Sequence, residues 1–192
     1  MTRNLESPSE RGWKSTRCGG FTLIELMVTI TLGAIVMGIG VPSYQNLVVK
    51  NRIQTQADEI RSSLAMARVE AIRRGLRVRV CPGTNGCVGA NWHEGWNSFV
   101  DRNNDNTRDD AANETALEVH IRLDGNSTLT GPNNVIFKSD GTVARERGYT
   151  LMLCTADSDA QHRRRIGISG VGRVRVCKPP ADGEPACPIK CP

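Results

Sequence analysis

The sequence predicts an α+β fold: one long amino-terminal hydrophobic helix packed on antiparallel β-sheets. Three observations predict it. Residues 21–41 form an apolar run whose only charge is Glu25. Downstream, Ile53, Ala57, Ile60, Leu64, Ala67 and Ala71 recur at spacings of four and three, one apolar stripe on a helix. Short β-favouring runs separated by Gly, Asn, Asp and Pro fill most of the remainder. The 192 residues allow one or two compact domains. With 39% hydrophobic and 4% aromatic residues, the chain can build one modest, mainly aliphatic core beside the apolar run.

The first twenty residues are polar, and Arg3, Glu6, Glu10, Arg11, Lys14 and Arg17 leave them net positive. Positive charge ahead of a span favours a cytoplasmic amino terminus. The run Phe21–Val41 is roughly 30 Å long as a helix, enough to cross a bilayer. A secretory signal would place its small-residue cleavage site after a shorter apolar region. Here Gly19 and Gly20 come before it. Cleavage after Gly20 leaves the span on the product and sets Glu25 near a new amino terminus at Phe21. An ionised carboxylate in hydrocarbon is costly unless paired. The terminal ammonium of a neighbouring subunit is a suitable partner, which makes the glutamate an assembly device.

Pro42 bends a continuing helix, since it lacks an N–H and its ring crowds the preceding turn. The helix continues past Tyr44 and stops near Gly75, after Arg73 and Arg74, with Arg52, Glu59, Arg61 and Arg68 off the stripe. Strands are expected at "LRVRVC", "WNSFVD", "ALEVHIRL", "NVIFKS", "YTLMLC", "RRIGIS" and "GRVRVC". The tail "KPPADGEPACPIKCP", with five prolines, is expected to be irregular.

The segment "GGFTLIELMVTITLGAIVMGIGVPSY" closely resembles the leader junction and helix of type IV pilins and type II secretion pseudopilins. The resemblance implies that a prepilin peptidase of the inner membrane cuts between Gly20 and Phe21 and methylates the Phe21 amine, with Glu25 the assembly residue. Trp92, Gly95, Trp96, Phe99 and Asp101 in "NWHEGWNSFVDRNNDNTRDDAANETALEVH" are similar to a segment of the FimT, FimU and GspH group. "ISGVGRVRVC" resembles the Gly-Arg-x-Arg segment of FimT-like members. The implied organisation is a cleaved leader (1–20), a transmembrane and assembly helix (21–44), a periplasmic pilin head (45–178) and a Pro/Cys-rich tail (179–192). The implied function is that of a minor type IV pilin in pilus assembly or initiation, with other pilins and minor pilins as partners. A GspH-like pseudopilin of a type II secretion system is the alternative. Localisation follows: single-pass in the inner membrane, head in the periplasm, then pilus.

Seven cysteines suggest an oxidising compartment. Cys18 goes with the leader. Cys81, Cys87, Cys154, Cys177, Cys187 and Cys191 remain, and six thiols allow fifteen pairings. One set joins Cys81 to Cys87 across a hairpin loop, Cys154 to Cys177 between strands, and Cys187 to Cys191 in the tail. Zinc is disfavoured, because the spacings do not form paired Cys-x-x-Cys motifs.

The mature charge is about +3, and it is unevenly placed. Arg163, Arg164, Arg165, Arg173, Arg175 and Lys178 fall in a late stretch without an acid. The pentapeptide "RVRVC" occurs at 77–81 and 173–177. Strand alternation puts its valines inward and its arginines in solvent. Arg173 and Arg175, about 6.6 Å apart, can reach successive phosphates. A solvated strand face is the plain reading. The resemblance to FimT-like proteins adds another, non-specific capture of double-stranded DNA during natural transformation. Trp92 and Trp96 are expected in the core rather than stacked on bases.

Asp101, Asn103 and Asp105 open like a calcium loop. Asn106 stands where glycine is needed, and Ala112 where glutamate is needed, so a polar hairpin loop is expected and no metal is assigned. His93, His120 and His162 have no metal spacing, and His93–Glu94 reads as a surface pair. No phosphate-cradling loop or catalytic constellation is visible, so neither enzyme activity nor a cofactor is expected.

Overall fold

The computed structural model describes residues 20–87, 91–105, 107–108, 114–155 and 162–177. The leader before Gly20, Cys18, Asn106, Ala112, and the tail with Lys178, Cys187 and Cys191 lie outside the described residues. The chain divides into two compact units, Met1–Ser43 and Tyr44–Pro192.

Helix α1 runs from Leu23 to Arg74. Thr22 precedes it, and its Oγ1 accepts the Glu25 N–H at 3.2 Å. That is half of a Thr-x-x-Glu capping pattern. Up to Ser43 the large apolar side chains are exposed, Leu23 by 77% and Ile39 by 72%. The hydroxyls of Thr29 and Thr31 donate to Leu26 O and Met27 O, at 2.8 and 2.7 Å. Both are therefore satisfied within the helix, as an apolar surrounding requires. The segment is long and apolar enough to cross a membrane, and Pro42 lies inside the helix.

In the second unit the predicted stripe is the buried face of α1. Ile53, Ala57, Ile60, Leu64, Ala67 and Ala71 are all exposed by 1% or less. Two polar residues share that face: Gln56 donates to Asp124 O at 2.8 Å, and Ser63 Oγ accepts from Trp96 Nε1 at 3.0 Å. The helix ends at Gly75, whose φ of 64° costs glycine little.

Eight strands follow: β1 (Val78–Pro82), β2 (Gly95–Val100), β3 (Ala116–Ile121), β4 (Thr128–Thr130), β5 (Val135–Phe137), β6 (Tyr149–Cys154), β7 (Arg164–Ile168) and β8 (Val174–Cys177). They form two antiparallel sheets, β3-β2-β1-β5 (sheet A) and β4-β6-β7-β8 (sheet B). Both close on the α1 stripe. Val78, Val80, Trp96 and Phe137 from sheet A meet Leu129, Leu151, Leu153, Ile166 and Ile168 from sheet B in one core. Strand β4 was not among the seven expected runs; it has three residues, too few for alternation to register.

Two expectations are corrected. In the first "RVRVC" copy, Arg79 does not stand in solvent but is fully buried. Asp101, just past β2, receives its Nε–H at 2.9 Å, and Nη2 donates to the same oxygen. The paired register β1–β2 brings the two together and neutralises what alternation alone would send outward. The other correction is to the Cys154–Cys177 pairing. Cys81 and Cys87 are joined by a disulfide, and Cys154 and Cys177 are each disulfide-bonded. However, Cys154 is on β6 and Cys177 on β8, with β7 between them. Two strand spacings are about 9.6 Å, beyond the roughly 7 Å that a disulfide spans between Cα atoms.

Candidate functional site

The late arginines are sorted by β7 and β8. In β7, Arg164, Ile166 and Ile168 point inward, so Arg165 and Gly167 take the outer face of sheet B. The register sets Gly167 between Thr150 of β6 and Arg175 of β8, and Arg165 between Met152 and Cys177. Arg173 and Arg175 are exposed, and Arg163 and Arg165 are half-buried. Arg164 is 2% exposed and cannot belong to a surface track. Its Nη1 donates to Arg163 O at 2.8 Å, and burial pushes its guanidinium below the usual value against the opposing charge of Asp58.

The sheet's outer face carries an open groove of about 550 Å³. Arg147, Thr150, Arg165, Gly167, Arg173 and Arg175 line it. Sequence reasoning missed Arg147, because the adjacent Glu146 cancels it in any count of charge. It also missed what holds the hairpin. The β7–β8 turn closes by Ser169 N–H to Arg173 O at 3.0 Å and Gly172 N–H to Ser169 O at 2.8 Å. From α1, Arg68 donates Nε–H to Gly141 O at 2.9 Å and Nη2 to Val171 O at 3.0 Å. One guanidinium thus holds a turn from each sheet. Gly172, the glycine of Gly-Arg-x-Arg, has φ 77°, and a Cβ there would fall against Gly141 O and the Arg68 guanidinium.

The two tryptophans are core residues. Trp92 and Trp96 are 3% and 2% exposed. Trp92 Nε1 donates to Pro132 O at 2.7 Å, and Trp96 stacks on the half-buried His120 with centroids 4.5 Å apart. His93 is half-buried beside the exposed Glu94, and His162 is buried. Asp101, Asp105 and Glu114 place one carboxylate oxygen each within 4.8 Å of the others. Each also accepts a loop hydrogen bond: Asp101 Oδ1 from Asn104 N–H at 2.7 Å, Glu114 Oε1 from Arg102 N–H at 2.7 Å, and Asp105 Oδ1 from Thr107 N–H at 2.8 Å. At the other end of the chain, Gly20, Phe21 and Glu25 are exposed.

A family model described as type II transport protein GspH matches residues 56–172, well over half of the chain. The chain belongs to the GspH family. The prokaryotic N-terminal methylation motif matches residues 15–41, which contain Gly20, Phe21 and Glu25. The type IV minor pilin FimU of Pseudomonas aeruginosa is 19% identical, over 66% of this chain and 88% of that one, with a TM-score of 0.53. A second crystal form of FimU gives 19% identity, 64% and 90% coverage and a TM-score of 0.50. The minor pseudopilin EpsH of the Vibrio cholerae type II secretion system is 15% identical, with 70% and 99% coverage and a TM-score of 0.49. The FimU likeness is one of fold. No curated protein sequence matches the chain. This GspH-family chain is a pilin-like minor subunit, pilin or pseudopilin, and membership implies association with other pilins. Its apolar helix and methylation motif fit a membrane-anchored pilin.

Proposed function

We propose that this chain is a minor type IV pilin that enters a filament through the first part of α1 and helps to start its assembly. The observation that carries this reading is the stretch from Leu23 to Ser43. Its apolar side chains are exposed, and its one carboxylate, Glu25, is the third residue of the helix. Such a surface is at home in a bilayer or among other helices of its kind. A prepilin peptidase cuts after Gly20, Phe21 becomes the methylated terminus, and Glu25 pairs with that ammonium on a neighbour. The leader is 1–20, the assembly helix 21–44, the periplasmic head 45–178 and the tail 179–192. The subunit works without catalysis or a cofactor. Mass spectrometry and Edman sequencing of protein recovered from envelopes should find a mature chain beginning at methylated Phe21. A product retaining residues upstream of Gly20, or lacking the apolar segment, contradicts the proposal.

A second role is favoured by the arginine groove: non-specific binding of double-stranded DNA for uptake. Its four guanidiniums belong to four different strands or turns yet line one surface, the arrangement that phosphates select. The full chain in detergent, titrated with duplex DNA at several salt concentrations, should give a log–log slope of about −3.6 if four phosphates are neutralised. Arg173→Ala with Arg175→Ala should flatten it by about 1.8. No salt-dependent binding by the unaltered chain removes this role and leaves assembly, in a pilus or a type II secretion machine.

A further inference from the structure

The outer face of sheet B has a gap in its rows of side chains. Gly167 is on the middle strand of its neighbourhood, flanked by Thr150 on β6 and Arg175 on β8. Other glycines of this sheet have visible reasons: Gly148 and Gly172 have positive φ and backbone where a Cβ would be. Gly167 has neither. Its φ is not left-handed, and a Cβ built on it meets nothing within 4 Å. A glycine inside a strand weakens that strand, and it often marks where a ligand approaches the backbone. Here the gap opens into the groove walled by Arg147, Arg165, Arg173 and Arg175. Neither Arg173 nor Arg175 has an ion pair among the described residues.

We propose that Gly167 is the floor of a phosphate seat for the backbone of nucleic acid. A phosphodiester group enters the gap, the Arg175 guanidinium bonds its oxygens from one side, and the Thr150 hydroxyl donates from the other. The proposal rests on the DNA-binding reading above and adds a seat to it: contact with arginine tips alone has no use for an empty floor. A side chain at 167 then obstructs binding while every charge remains.

The test uses the full chain in detergent with a labelled duplex, comparing the unaltered protein, Gly167→Ala and Gly167→Val. Both variants should fold, with midpoints of thermal unfolding at or above that of the unaltered chain, because glycine is the weaker strand former. Binding should change in the opposite sense: Gly167→Val should raise Kd about tenfold or more, Gly167→Ala less. Long-chain polyphosphate should compete for the unaltered chain and lose that advantage against Gly167→Val. Equal Kd for all three proteins overturns the seat and leaves DNA binding standing. Polyphosphate that fails to compete overturns the assignment to phosphate. No duplex binding by the unaltered chain overturns both the seat and the role it serves. Should the valine variant unfold, the alanine variant, whose methyl is clear of every neighbour, decides the matter by the same comparison.

Discussion

Arg79 and Asp101 form the fully buried ion pair of this chain's described residues. Such a pair adds little over a well-packed apolar replacement, but breaking it from one side leaves a charge stranded. Asp101→Asn should therefore destabilise the chain by about 3–5 kcal/mol, read by denaturant unfolding. Replacing both residues with apolar ones of similar size should cost far less, and equal losses would contradict the account. Glu70 offers a gentler case. Bonds from Arg73 and then Arg74 hold its carboxyl at about 2, below the ordinary 4.5. The folded value is depressed, so the contribution is complete above about pH 4.5 and fades as pH falls toward 2. Glu70 is half-buried but Arg73 stands exposed, so water screens the pair and the effect on stability is small. NMR titration of Glu70 should show the low midpoint, and Arg73→Ala should raise it. Neither pair was legible in sequence to the same degree: Arg73 and Arg74 sit within a turn of Glu70, whereas Arg79 meets Asp101 only once β1 and β2 are in register.

Elements were more legible than their exceptions. All six positions of the α1 stripe are buried, because a 3.6-residue period with one covered face is written directly into spacing. The same period could not reveal Gln56 and Ser63 on that face, since their partners, Asp124 O and Trp96 Nε1, arrive from elsewhere. Leu64→Ala should cost about 2–5 kcal/mol, whereas Met66→Ala, on the half-exposed side of the same helix, should stay within about 0.5 kcal/mol. Thermal unfolding of the two variants distinguishes them, and similar losses would mean that the stripe is not the load-carrying face. Alternation succeeded for β8 and failed for β1, where loops and Asp101 cover the side that water was expected to occupy.

For the whole molecule, the arginine face was legible only in outline. Arg173 and Arg175 stood out by repetition, and Arg164 had to be withdrawn once β7 fixed its phase. Arg147 became visible only when β6 returned beside β7. Disulfide connectivity depends on strand order, which cysteine spacing does not contain, and β7 between Cys154 and Cys177 excluded a pairing that spacing allowed. Filament entry is argued at this scale too. Glu25→Ala should still insert and be cleaved, yet incorporate poorly when sheared filaments are compared with membranes by immunoblot. Equal incorporation would remove the charge-pairing role and leave Glu25 as the third residue of a helix start, where its N–H meets Thr22.

Arg68 reaches a turn of each sheet from a single position on α1. Tension applied through that helix would accordingly be shared between the two sheets at one knot, in addition to the apolar seam. A subunit hauled by its rod would then resist as a unit, without one hairpin peeling away ahead of the rest.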